Sequence, residues 1–375
     1  MNVPLLDLRA QYLAIRDEVR AALEEVYERQ HFILGPKVTA LEPAIALYCK
    51  ARYAVGVSSG TDALLSALMA LGVAPGDEVI TTPYTFFATA GSIVRTAARP
   101  VFVDIDPVSF NLEPSQVEDR VTPKTKVLLP VHLFGRCAEM EPLLALAARR
   151  RLAIVEDAAQ AIGAETGDGR RAGGIGTLGC LSFYPTKNLG GFGDGGMVLT
   201  SDVHLMALLR SLRQHGSEGH YEHPRVGGNF RLDELQAAVL LAKLGRLDGW
   251  TEARQAHARQ YNDAFRALDL EGPDALIPPE IPKAGRHVFN QYVLRTRRRD
   301  DLARFLHGRG IGTAIYYPKP LHLQECFTFL GYKEGDFPES ERAANEALAL
   351  PVYPEMTENM QEYVIEAVGA FFKAR

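Results

Sequence analysis

Apolar residues recur at helical spacing at the start of the chain. Tyr12, Ile15, Val19, Leu23 and Val26 predict a helix over about Leu8–Arg29. The turn FILGP interrupts it at Gly35-Pro36, and a second helix is expected over about Lys37–Cys49. The period then changes. Short, nearly continuous apolar and β-branched runs (YAVGVSSG, EVITTPYTF, RPVFVDI, VLLPVHLFG, LAIVEDAAQ, GCLSFYPT, GGMVLTSD) alternate with helical stretches such as TDALLSALMAL and EMEPLLALAARR. This alternation predicts an α/β domain whose strands are covered on both faces. From about Gly228 the pattern becomes long, helical and charged. After the Pro-rich stretch LIPPEIPKAG, short strands (FNQYVLRT, IGTAIYY) alternate with helices. The predicted organisation is 1–250 for N-terminal helices and a large α/β domain, and 251–375 for a smaller C-terminal α+β domain.

A chain of 375 residues can bury a large core. The formal charge of −5 argues against a polybasic nucleic-acid surface. Cys49, Cys137, Cys180 and Cys326 are scattered without a C-x-x-C pair, so neither a zinc ribbon nor a disulfide framework is expected. His220 and His223 in GHYEH lack a metal-binding helix pattern and read as a surface loop. No metal is expected. No apolar run approaches the roughly 20 residues of a membrane span, and the N-terminus resembles no leader. A cytoplasmic protein with reduced thiols is the expectation.

Three strand ends concentrate reactive groups. Ser58-Ser59-Gly60-Thr61-Asp62 lies between a strand and a helix, where free N–H groups and the helix dipole hold phosphate. Taken alone, this pattern favours a plain helix cap. Glu156-Asp157-Ala-Ala-Gln160 ends an apolar strand in carboxylates, with Asp157 able to pair with a cationic ring nitrogen and Gln160 able to donate to a phenolic oxygen. The third is SFYPTKNLGGFGDGG, with one lysine, Lys187, among glycines. Gly191, Gly193 and Gly196 fit G-x-G-x-x-G, but they precede a strand, which is the wrong context for dinucleotide binding. A glycine bend that frees Lys187 for chemistry is the better account. A phosphate cup, a ring-nitrogen carboxylate and a lysine amine are together what pyridoxal 5'-phosphate requires.

The motifs SSGTDAL, GDEVITTPYTFFAT, PVFVDIDP, VEDAAQAIGA, SFYPTKNLGGFGDGG, GGNFRLDELQAA and YYPKPLH, in this order, resemble the DegT/DnrJ/EryC1/StrS aminotransferases. The resemblance spans nearly the whole chain. It implies a fold-type I (aspartate aminotransferase-like) pyridoxal-phosphate enzyme, with a mostly parallel sheet in the large domain. It further implies Lys187 as the Schiff-base lysine, Asp157 on the pyridine nitrogen, Gln160 on the phenolic oxygen and Phe86 stacked on the ring. Gly60, Thr61 and Ser182 match phosphate ligands. Asn229 matches a residue that reaches the neighbouring subunit's phosphate, which implies a homodimer with shared sites. Arg231, Tyr316, Tyr317 and His322 match positions near the sugar or its diphosphate. The implied reaction moves the amine of L-glutamate onto a nucleotide-linked keto-sugar, with a lean toward the 3-position over the 4-position. The rivals are another lysine-based activity on this fold, such as an aldolase or desulfurase, and a regulatory sensor that binds the cofactor without turnover.

Overall fold

The computed structural model describes residues 1–272 and 275–373. Helix α1 (Leu8–Arg29) starts where Asp7 accepts the Ala10 N–H at 2.9 Å and stops at Gln30 in the left-handed region. Helix α2 (Pro36–Tyr48) opens on a proline, whose missing N–H costs nothing at that position.

A seven-stranded sheet follows: β1 (Tyr53–Val57), β2 (Glu78–Thr81), β3 (Arg99–Phe102), β4 (Thr125–Leu128), β5 (Ala153–Asp157), β6 (Leu178–Ser182) and β7 (Gly196–Thr200). The spatial order is β1-β7-β6-β5-β4-β2-β3. Only β7 runs against the others, being antiparallel to both β1 and β6. Strand side chains alternate between faces, and here both faces are buried. Val79, Val127, Val155, Cys180 and Val198 share one core with α3 (Gly60–Ala70) and α6 (Val203–Leu212). Ile80, Leu128 and Ile154 pack on the other face with α5 (Met140–Arg150). Leu181 and Met197 do so with α2 and α7 (Glu234–Leu244). This is the predicted mostly parallel α/β layer, and it explains why the strands read as unbroken apolar runs.

A second core lies in the C-terminal part. Tyr261 and Phe265 of α8 (Leu247–Ala267), Tyr292 of β8 (Tyr292–Arg295), Leu348 of β9 (Ala347–Leu350) and Val364 of the last helix (Glu358–Lys373) are buried together. Strands β8 and β9 pair antiparallel. The cluster also takes in Val3, whose N–H donates to the Gly310 carbonyl at 2.8 Å.

One expectation fails locally. IGTAIYY is not a strand: Ile311 bridges only Val3, and Ala314 bridges only Ala349. Gly312 lies so close to Leu5 that a Cβ would stand 2.6 Å from its nitrogen, so this segment follows the N-terminal chain rather than a ladder. The long helical stretch after Leu232 is two helices, α7 and α8, parted at Gly245-Arg246. Among the described residues, no helix is long and apolar enough to cross a membrane.

Candidate active site

Because β1, β2, β5 and β6 point the same way, their carboxyl ends share one edge, where open α/β sheets place their ligands. Strand β1 runs through Ser58 and Ser59 into α3. The Ser59 side chain accepts the Asp62 N–H at 3.0 Å, and its carbonyl accepts the Ala63 N–H at 2.9 Å. The Ser59 carbonyl thus starts the helical ladder at Ala63, while its side chain takes the Asp62 N–H, so the Gly60 and Thr61 N–H groups in between are left to meet an anion at the positive end of the dipole. The cap and the anion cup therefore use different atoms of the same turn. The cup is tight. A Cβ on Gly60 would stand 2.7 Å from Ser182 Cβ, and one on Gly196 would stand 2.3 Å from the Ser59 carbonyl oxygen.

Strand β5 delivers Asp157, buried at 5 % exposure. Thr89 Oγ1 donates to its Oδ2 at 2.7 Å, and the Ala159 N–H donates to Oδ1 at 3.2 Å. Burial raises its pKa, while Thr89, Ala159, Lys187 and His132 oppose the rise. Three residues on, Gln160 Oε1 accepts the Phe134 N–H at 2.6 Å, which fixes the amide's orientation. Its Nε2 donates to the Tyr317 hydroxyl at 3.1 Å, leaving one amide hydrogen over.

Lys187 follows β6 and is partly buried. Burial brings its pKa down to about 8 against the pull of Asp157. The glycines after it serve close approach. A Cβ on Gly190 would stand 2.3 Å from the Pro185 carbonyl oxygen, and one on Gly191 would stand 2.7 Å from Gln236 Oε1. Helix α7 grips this loop: Gln236 accepts the Phe192 N–H at 2.7 Å, and buried Lys243 donates to the Gly190 carbonyl at 2.6 Å. The glycines thus fit the lysine loop against a helix.

Phe86, after β2, keeps 57 % of its surface exposed beside Tyr317, with ring centres 6.3 Å apart. Tyr316 and Tyr317 are drawn to this edge by buried Tyr84, whose hydroxyl donates to the Tyr316 carbonyl at 2.5 Å and accepts the Tyr317 N–H at 3.1 Å. Arg231 bridges Val57 at the end of β1, with its Nε buried and without a partner. The Asn229 residue is exposed on the loop after the protruding Tyr221 and Val226, which are 85 % and 86 % exposed. His322 is buried under Phe337, with Nε2 3.0 Å from Glu341 Oε1 and Nδ1 unpaired.

Sequence reasoning passed over several residues here. Thr85, Thr89 and Tyr84 sit in TTPYTFFAT, which places five hydroxyl residues between the end of an apolar strand and the first turn of the next helix. Glu156, next to Asp157, points the other way. It is fully buried, accepts N–H groups from Gly173, Ile175 and Gly176 at 2.6–2.8 Å, and lies 2.8 Å from His132 Nε2. It anchors the 173–176 turn beneath the site.

Pyridoxal 5'-phosphate fits these groups. The two free N–H groups at a cup too close for side chains suit its phosphate, and a buried carboxylate and a lysine of lowered pKa suit its ring nitrogen and aldehyde. A sequence model of the DegT/DnrJ/EryC1/StrS aminotransferase family matches residues 13–369. The chain is 51% identical to a Geobacillus stearothermophilus "pleiotropic regulatory protein", with 100% of this chain and 99% of the relative covered. It is 42% identical to an Acidithiobacillus ferrooxidans UDP-N-acetyl-3-dehydro-α-D-glucosamine 3-aminotransferase, with 95% and 94% covered. The crystal structure of Streptomyces venezuelae DesV in complex with a ketimine intermediate superposes with a TM-score of 0.96 at 42% identity, covering 100% of this chain and 99% of that one. Fold, motif order and site geometry agree: the chain belongs to the DegT/DnrJ/EryC1/StrS aminotransferase family.

Proposed function

We propose that this protein is a pyridoxal 5'-phosphate-dependent aminotransferase that moves the amine of L-glutamate onto C3 of a nucleotide-linked keto-sugar, working as a homodimer. The observation that carries this is the meeting, at one sheet edge, of Lys187, with its pKa near 8, and the buried carboxylate of Asp157. When bound, the cofactor supplies a protonated ring that takes up negative charge from the carbon bearing the amine. The rest falls to the chain. Gly60, Thr61 and Ser182 hold the phosphate. Asp157 holds the proton on the ring nitrogen. The spare hydrogen of Gln160 Nε2 serves the phenolic oxygen, and Phe86 covers one face of the ring. Lys187 Nζ, neutral in useful amount near pH 8, takes the proton from the donor's α-carbon and returns it on the cofactor side, a role worth roughly 10²–10⁴-fold.

Asn229, exposed on its own chain, is the group we assign to the phosphate of a second subunit. Arg231, Tyr316, Tyr317 and His322 are assigned to the sugar-diphosphate side. The C3 assignment is supported by the name of the Acidithiobacillus relative. The regulatory name of the Geobacillus relative favours a second reading, a cofactor-binding sensor without turnover. Incubation with glutamate and a panel of UDP-, dTDP- and GDP-linked 3- and 4-keto-sugars, read by mass spectrometry, separates the two. The transferase reading expects an amino-sugar product from a 3-keto member of the panel. Cofactor uptake without product from any member would leave the sensor.

A further inference from the structure

One oxygen of Asp157 is already engaged by the protein. Thr89 Oγ1 donates to Oδ2 at 2.7 Å and lies 3.0 Å from Thr85 Oγ1. Thr89 and Thr85 are buried, at 0 % and 3 % exposure. A hydroxyl carries one hydrogen. Thr89 gives its hydrogen to a carboxylate, so it can only accept from Thr85, and the chain has one direction: Thr85 to Thr89 to Asp157. The spacing explains the pairing. The Thr89 N–H bonds the Phe86 carbonyl at the start of helix α4 (Ala88–Arg95), and this turn, entered just after Thr85, brings the two hydroxyls together. On the other oxygen, Oδ1, the only donor among the described residues is the Ala159 N–H at 3.2 Å, which leaves that oxygen open to a further donor.

Hydrogen bonds to the ionised form favour ionisation, and those to a charge are the stronger kind. Besides Thr89 and the Ala159 N–H, Lys187 and His132 also favour the carboxylate. Burial alone opposes it. The hydroxyl relay is thus the side-chain hydrogen bond that counters burial, beside the longer one from the Ala159 N–H.

We propose that Thr89, oriented by Thr85, is a positioning residue that keeps Asp157 ionised and turns Oδ1 to the cofactor's ring nitrogen, so that this nitrogen stays protonated. The proposal rests on the cofactor assignment above. Valine in place of threonine keeps the branched shape and removes only the hydroxyl.

The test uses the full-length protein loaded with pyridoxal 5'-phosphate carrying ¹⁵N in the ring. The nitrogen resonance reports protonation, and titration of stripped protein gives the cofactor Kd. Thr89→Val is expected to move the resonance toward neutral pyridine and to weaken cofactor binding on the order of tenfold. Thr89→Ser should restore both, and Thr85→Val should move both in the same direction by less. An unchanged resonance in Thr89→Val would overturn the proposal. If Thr89→Val does not fold, an unchanged resonance in Thr85→Val does so. A wild type that takes up no cofactor would overturn this proposal with the assignment beneath it. A wild type with a protonated ring and no sugar turnover would remove the transferase function and leave the relay standing.

Discussion

Lys187 carries a sharp pH signature. An amine attacks an aldehyde only when neutral, and burial has brought this one down to about 8. Below that pH it is mostly charged, and above it mostly neutral. The rate at which stripped protein captures pyridoxal 5'-phosphate should therefore rise with pH and level off above about 8, as followed by stopped-flow absorbance. Asp157 favours the charged amine. Asp157→Asn should therefore shift this profile to lower pH while largely abolishing the half-reaction with glutamate. A pH-independent capture rate would remove the special status of Lys187. That Lys187, Asp157 and Gln160 lie at strand ends on one sheet edge was legible in the sequence, because each sits in a short motif that follows an apolar run. Tyr84 was not, because its hydroxyl acts on Tyr316, 232 residues away. Nor was the burial of His322 against Glu341, since YYPKPLH says nothing of what packs over it.

At the level of elements, the site depends on how closely α3, β6, β7 and the lysine loop approach one another. Gly196→Ala would drive a Cβ to 2.3 Å from the Ser59 carbonyl oxygen, a backbone atom that cannot swing away. It should cost about 1–3 kcal/mol, seen in denaturant unfolding, and weaken cofactor binding by displacing the N-terminus of α3. Gly245, between α7 and α8, is the control: it has a φ of −64° and nothing within 4 Å of a Cβ. Gly245→Ala should be neutral or stabilising by about 0.4–1 kcal/mol. Equal effects of the two substitutions would contradict the close-approach account. The seven-stranded sheet was readable because both faces are covered, which makes each strand an apolar run. IGTAIYY carried the same apolar and β-branched signature. Its backbone instead bonds Val3, Ala349 and the Tyr84 hydroxyl, which no local pattern announces.

For the whole molecule, the proposed assembly has a distinct consequence. If Asn229 serves a neighbouring subunit, Lys187→Ala and Asn229→Ala chains, each impaired alone, should recover part of their activity when mixed. One site of the mixed dimer would carry both lesions and the other neither. No recovery, with heterodimers verified by native mass spectrometry, would contradict shared sites. The central claim is the transfer itself, and isotope tracing tests it most directly. The protein is incubated with ¹⁵N-glutamate and each 3-keto member of the UDP-, dTDP- and GDP-linked panel, and the product is examined by mass spectrometry and NMR. The account predicts a ¹⁵N-amine on C3 with one 2-oxoglutarate per sugar, absent with Lys187→Ala. Protein that has bound pyridoxal 5'-phosphate yet leaves the label on glutamate would contradict it.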